Sequence, residues 1–213
     1  MGSIKATEHR IELTPDFKPV RLNPYRMVPR TRKLIKTQVD RMIKLEVIEP
    51  SQSELASPVV LIPTPDGSPR FFIDYGHLNE RTVRDSYPLP LMDGCLDFLG
   101  DAQLFFMLDC DAGYWQFPIA EDDKPKTAFN CHSGTYQCTR VPFGLCNALA
   151  TFQWAIDIIL SGVKWQNVLV YLDDLFIFSA DAESYLSRLD TVLSVLRKHG
   201  VTLKAQKCHL FSD

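Results

Sequence analysis

The chain has 213 residues, 46% of them hydrophobic, enough to bury a real core in one domain or two small subdomains. A formal net charge of −3 argues against general affinity for polyanions, so any nucleic-acid contact must come from local clusters of cations. Six cysteines without paired short spacing do not make a usual zinc knuckle, and no apolar signal stretch follows Met1-Gly2-Ser3. These features predict reduced thiols, an intracellular location and no membrane partner.

In chain order, the segment up to Pro29 is Pro-rich and is predicted to wrap the body as extended chain. Pro29 suits a helix start, and Leu34, Ile35, Val39, Met42 and Ile43 then share one helical face. Between Arg21 and Lys44, the cations Arg21, Arg26, Arg30, Arg32, Lys33, Lys36, Arg41 and Lys44 face only Asp40. That stretch is either a solvated face or a phosphate-attracting one. Two strands, Pro58 to Pro63 and Arg70 to Asp74, are joined by a Pro-Asp-Gly-Ser turn. After Pro90 come a short helix, a strand over Leu104 to Asp109, and a turn at Gly113, where the missing side chain lets a ligand approach the backbone. A strand pair follows between Thr127 and Val141, then a helix from Ala148 to Leu160 with Phe152, Ala155, Ile156 and Ile159 inward. Asp181 is predicted to cap a helix carrying Tyr185, Leu186, Leu189, Val192, Leu193 and Leu196 at helical spacing, with Gly200 as its stop.

The acidic residues carry the chemistry. Asp173 and Asp174 in Tyr171-Leu172-Asp173-Asp174 lie between the apolar runs Val168-Leu169-Val170 and Leu175-Phe176-Ile177-Phe178, which read as the strands of a hairpin. Ionised carboxylates beside apolar walls carry a desolvation penalty that a bound divalent cation would offset. An exposed Asp-Asp turn is the competing reading. Asp109 weighs against it, because it ends the run Leu104-Phe105-Phe106-Met107-Leu108 and offers a third acid at a strand end. Acids from two strand ends meeting at one point could hold two magnesium ions, the arrangement that activates an attacking oxygen and stabilises a leaving pyrophosphate. The part played by Asp111 stays open.

At this point the chain resembles a family over nearly its whole length. The blocks Ser57-Pro58-Val59-Val60-Leu61, Asp66-Gly67-Ser68, Arg70-Phe71-Phe72-Ile73-Asp74-Tyr75, Leu78-Asn79 and Tyr87-Pro88-Leu89-Pro90 occur in order. Leu108-Asp109, Gly113-Tyr114-Trp115-Gln116, Lys126-Thr127-Ala128-Phe129, Pro142-Phe143-Gly144-Leu145, Asn147-Ala148, Ala150-Thr151-Phe152-Gln153, the acidic hairpin and Lys207-Cys208 continue them. The set is similar to the fingers and palm of reverse transcriptases from gypsy-type long-terminal-repeat retrotransposons, related to retroviral polymerases.

The resemblance implies an α+β fold: a right-hand polymerase palm, with an antiparallel sheet backed by helices, plus a fingers subdomain. Residues 1–213 would form one reverse transcriptase domain, with fingers at about 1–90 and 120–150 and palm at about 91–119 and 151–213. The thumb, connection and ribonuclease H regions would lie beyond Asp213. By the same resemblance, Asp109, Asp173 and Asp174 are the catalytic carboxylates and hold two Mg2+ ions, or Mn2+, with the Cys110 carbonyl as a further ligand. Arg70, Ala112, Gly113, Tyr114, Phe143 and Gly144 would bind the incoming deoxynucleoside triphosphate, with Tyr114 rejecting a ribose 2′-hydroxyl. Tyr171, Leu172, Gln153 and Asn79 would contact template and primer. The implied partners are a primed RNA or DNA template and the remainder of a polyprotein, and the implied location is the cytoplasm, including virus-like particles.

Four departures bear on activity. Thr64-Pro65 stand where the family carries lysines, Gly76 where it carries arginine, Leu149 where it carries proline, and Glu46 where it carries glycine. They keep a second reading open: a decayed or repurposed nucleic-acid-binding module without turnover.

Overall fold

A computed structural model describes residues 2–4, 6–63, 69–88, 102–164, 166, 168–171 and 174–212. The predicted Pro-Asp-Gly-Ser turn and the predicted helix after Pro90 lie outside the described residues, as do Thr64, Pro65, Leu172 and Asp173. Among the described residues the chain forms, in order, α1 (Pro29–Lys44), β1 (Ile48–Pro50), β2 (Ser57–Ile62), β3 (Arg70–Ile73), α2 (Gly76–Glu80), β4 (Leu104–Asp109), β5 (Phe129–Cys131) and β6 (Gly134–Cys138). There follow α3 (Ala148–Ile159), β7 (Val168–Tyr171), β8 (Asp174–Ser179), α4 (Ala182–Lys198) and β9 (His209–Ser212). Short 3-10 turns occupy Gly113–Gln116, Glu121–Thr127 and Ala205–Lys207. Among the described residues, no helix is long and apolar enough to cross a membrane. The fold is mixed α+β, in two compact units.

The first unit comprises Met1–Thr7, Asp85–Phe117 and Leu149–Asp213. Its four strands run in the order β7-β8-β4-β9, all antiparallel. β4 and β8 are in register from Leu104↔Ser179 to Asp109↔Asp174, and apolar residues occupy all four pairs between. Phe106, Leu108, Leu175 and Ile177 are buried. On α3 the predicted inward residues Phe152, Ala155, Ile156 and Ile159 are all buried. α4 opens on Asp181, whose carboxylate accepts from the Ser184 amide at 2.9 Å, as the Asp at that position predicts. Tyr185, Val192 and Leu196 of α4 are buried, whereas Leu186 is 60% exposed. Leu186 follows Tyr185 by about 100° of helical turn, which carries it off the covered stripe. Gly200, at φ 74°, ends the run: a Cβ there would meet the Ser3 carbonyl at 2.6 Å.

The second unit comprises Glu8–Arg84 and Pro118–Ala148. Its five-stranded sheet has the order β1-β6-β5-β2-β3, with β2 and β5 parallel and the other pairs antiparallel. Tyr75 is fully enclosed and donates to the Thr127 carbonyl at 2.8 Å, while burial pushes the neighbouring Cys138 thiol up to about 11. On α1 the buried stripe is Ile35, Val39 and Met42; Leu34 and Ile43, predicted to share it, are 39% and 40% exposed. A single stripe at i, i+4 and i+7 covers a narrower arc than five apolar residues suggest.

α1 ends in a Schellman motif: the Val47 amide donates to the Met42 carbonyl at 3.1 Å and the Glu46 amide to the Ile43 carbonyl at 2.9 Å. The motif needs a left-handed residue, and Glu46 supplies it at φ 57°. A side chain in that region costs about 1–2 kcal/mol, part of which glycine returns as unfolded-state entropy. Glu46→Gly is therefore expected to raise the melting midpoint by roughly 1 to 4 °C, read by calorimetry. An unchanged or lowered midpoint would mean that the Glu46 side chain makes a compensating contribution.

Candidate active site

Six in-register pairs carry the β4–β8 ladder to its end, and the last pair is Asp109 opposite Asp174. Directly opposed residues of an antiparallel pair share one face of the sheet, so two acids there confront each other at close range. Burial first, and the Asp109 charge second, raise the Asp174 carboxyl above its ordinary value of 3.8, with Lys207 pulling it back. Lys207 reaches Asp109 itself, Nζ to Oδ2 at 2.8 Å. The β7–β8 hairpin pairs Tyr171 with Asp174; Leu172 and Asp173 lie outside the described residues.

These groups fit a divalent cation by donor chemistry: hard carboxylate oxygens, held together although alike in charge. Among the described residues, no group of three or more His, Cys, Asp or Glu could hold a metal ion. What they do supply is the Asp109–Asp174 pair. Cys110, whose carbonyl was the further predicted ligand, is buried and bridged through its backbone to Leu203.

Beyond Asp109 the chain turns sharply. Ala112 adopts φ 48° and ψ 50°, a left-handed conformation uncommon for a residue with a Cβ. The turn Gly113–Gln116 follows, with Gly113 buried and Tyr114 half-buried. The Tyr114 ring meets Phe152 edge-on at 5.8 Å. Ala112, Gly113 and Tyr114 thus sit within five residues of Asp109 along the chain. Gln153 is fully buried and donates to Asp157 at 3.0 Å, so any support it gives a template passes through α3 rather than through contact. In the second unit, Arg70 is exposed on β3 and Phe143 is 44% exposed. Gly144, at φ 101°, sits where a Cβ would lie 3.4 Å from the Ile73 carbonyl. Asn79 uses both ends of its amide on the same loop, donating to the Gly144 carbonyl at 2.7 Å and accepting from the Cys146 amide at 3.0 Å. The basic residues Arg30, Lys33, Arg41 and Lys44 of α1 are exposed, and Lys36 pairs with Asp40 at 2.9 Å.

The match to the family described as reverse transcriptase (RNA-dependent DNA polymerase) covers residues 62–213. The chain belongs to the reverse transcriptase family. It is 34% identical over 92% of its length to the retrovirus-related Pol polyprotein from transposon 412 of Drosophila melanogaster, and covers 16% of that protein. Identity to the corresponding polyprotein from transposon gypsy of the same organism is 34% over 94% of the chain, covering 20% of the relative. Identity to the enzymatic polyprotein of cauliflower mosaic virus (strain Strasbourg) is 31% over 94%, covering 30% of it. The prototype foamy virus protease-reverse transcriptase superposes with a TM-score of 0.86 at 27% identity, over 98% of this chain and 28% of that one. A foamy viral structure in complex with double-stranded DNA gives 0.88 at 25% identity, over 99% and 37%.

Two features of this reverse transcriptase unit escaped the sequence. Lys207 has no spacing relation to Asp109, and only the fold of the segment before β9 brings it there. A polar cluster in the first unit joins Tyr87, Asp157 and Lys164: the Tyr87 hydroxyl donates to Asp157 at 2.8 Å, Lys164 pairs with it at 2.6 Å, and burial helps push Tyr87 up to about 12.

The raised Asp174 carboxyl has a sign that can be measured. The folded chain keeps this proton to higher pH than the unfolded chain, so without divalent cation stability falls as pH rises from 3.8 through the raised value. Above that window the cost is fully present. Asp174→Asn removes it and is expected to melt roughly 1 to 4 °C higher than the parent at pH 7 in chelator. Added Mg2+ should raise the parent's midpoint and leave that of the variant unmoved. A parent insensitive to both pH and Mg2+ would refute the opposed-charge reading.

Proposed function

We propose that this chain is the nucleotidyl-transferring core of a retroelement RNA-directed DNA polymerase. The observation that carries the reading is the cross-strand pairing of Asp109 with Asp174 at the end of an apolar ladder, with Asp173 adjacent in sequence. The reaction joins the primer 3′-oxygen to the α-phosphorus of a deoxynucleoside triphosphate as the bond to pyrophosphate breaks, and the hydroxyl proton passes to solvent. Bound divalent cations would supply Lewis acidity for the attacking hydroxyl and charge neutralisation for the leaving pyrophosphate. Asp109, Asp174 and Asp173, with the Cys110 carbonyl, would hold them. Amides of Ala112 and Gly113 are offered to phosphate oxygens, and Tyr114, buttressed on Phe152, bars a ribose 2′-hydroxyl. Exposed Arg70 presents a fork of donors suited to a triphosphate, and the exposed cations of α1 suit a template backbone.

The chain spans 16% to 20% of the Drosophila polyproteins it matches. Holding a primer terminus against the α-phosphate is worth about 7–11 kcal/mol in well-oriented reactions. On the resemblance to retroelement polyproteins, we propose the thumb, connection and ribonuclease H regions, primed RNA or DNA, and deoxynucleoside triphosphates as partners, and the cytoplasm, virus-like particles included, as the setting.

The test is Mg2+-dependent extension of a DNA primer on an RNA template by a chain carrying the downstream polymerase regions. Asp109→Asn or Asp173→Asn is expected to lower extension by about 10²-fold or more, with template binding retained. Equal extension by the variants would overturn the assignment of the acids. Template binding without extension by the parent would favour a repurposed binding module. In an active parent, Tyr114→Ala should raise ribonucleotide incorporation relative to deoxyribonucleotide, and unchanged sugar selectivity would remove Tyr114 from the gate.

A further inference from the structure

Gln116 has no exposed surface, and its amide is fully engaged. Nε2 donates to the Asp111 carbonyl at 2.8 Å and to the Thr202 carbonyl at 2.9 Å, and Oε1 accepts from the Thr202 amide at 2.8 Å. Two carbonyls at one end and an amide N–H at the other admit a single orientation of the group. A Cβ built on Gly2 would lie 2.4 Å from Oε1 and 2.7 Å from the Thr202 hydroxyl, so the N-terminal segment closes over this amide with no room to spare. Gly2 donates its amide to that hydroxyl at 3.0 Å, and Ile4 donates to the Gln116 carbonyl at 2.9 Å.

The segment Gln116 grips is the one that fixes Asp109. Lys204 donates its amide to the Asp109 carbonyl at 2.9 Å, Cys110 bridges to Leu203, and the Asp111 amide donates to the Thr202 carbonyl at 3.0 Å. Residues 109–111 therefore run antiparallel to 202–204, and Gln116 ties the far end of both together across the left-handed turn at Ala112. Lys207, which reaches Asp109, leaves from the same segment.

We infer that Gln116 is a positioning residue for the Asp109 carboxylate: it locks the strand end and the 202–204 segment into one frame, although it touches neither substrate nor cation. The inference rests on the proposed carboxylate site. Groups one step removed from a metal ligand typically alter affinity by about 10–100-fold.

The test is Mn2+ binding to the 213-residue chain, followed by the loss of the free-ion electron paramagnetic resonance signal at a temperature below the melting midpoints of the variants compared. The parent should bind and Asp174→Asn should bind far more weakly. Gln116→Met, which keeps the volume but loses all three hydrogen bonds, should bind roughly tenfold more weakly than the parent. Gln116→Glu keeps the shape but turns an acceptor toward two carbonyls; it should show the same direction and decides the matter if the Met variant does not fold. Ile156→Ala, a core truncation in α3, should lower the melting midpoint and leave Mn2+ affinity unchanged. Parental affinity in both Gln116 variants, or an equal loss in Ile156→Ala, would overturn the positioning role alone. Absence of binding by the parent, or parental binding by Asp174→Asn, would overturn the carboxylate site and this inference with it.

Discussion

An apolar antiparallel ladder that ends on two opposed like charges is the constraint around which the first unit is organised. Directly facing acids cost about 0.2–1 kcal/mol, whereas each fully buried Leu, Ile or Phe contributes about 1.5–3 kcal/mol. Phe106, Leu108, Leu175 and Ile177 are all buried beside the acids. The apolar pairs therefore decide the register and the acids must accept it. A slip of one residue would separate Asp109 from Asp174, but it would also carry Phe106 and Leu108 off the buried face of β4. The site is held in an electrostatically unfavourable arrangement by a core that has no stake in the chemistry.

That arrangement is asymmetric. Asp109 has the Lys207 ammonium at hydrogen-bond distance, and its main chain is held by Lys204. Asp174 sits on β8, between β4 and the hairpin partner β7. One acid is thus referenced to the 202–207 segment and the other to the hairpin. Each can be perturbed through a different part of the chain, which is why a buried amide such as Gln116 can matter to one of them.

Much of this was legible in the sequence, and the limits have physical causes. Pro29 and Asp181 marked helix starts correctly because their signals are local: a fixed φ and a side-chain acceptor for an orphan amide. The acids at the ends of apolar runs were visible as a conflict between charge and hydrophobicity. Their partnering was not: that Asp109 stands opposite Asp174 is a matter of register, and registry is a property of two strands at once. The exposure of Leu34, Ile43 and Leu186 could not be read from periodicity, because periodicity gives a face but not the width of what covers it. Lys207 and Gln116 were unreadable for the same reason as the register. Their partners are remote in sequence, 98 residues away for Lys207 with Asp109 and 86 for Gln116 with Thr202.

The β4–β8 pairing also carries a burden during synthesis. Asp174 leaves the ribosome about 65 residues after the Asp109 it must face. At translation rates of about 5–20 residues per second, β4 waits roughly 3 to 13 s for β8. During that interval Leu104-Phe105-Phe106-Met107-Leu108 is a nascent strand with high β-propensity, no charge and no partner on that edge. Such a segment is a natural client for a holding chaperone, and slower elongation between β4 and β8, which lengthens the interval, is expected to raise the fraction recovered as aggregate.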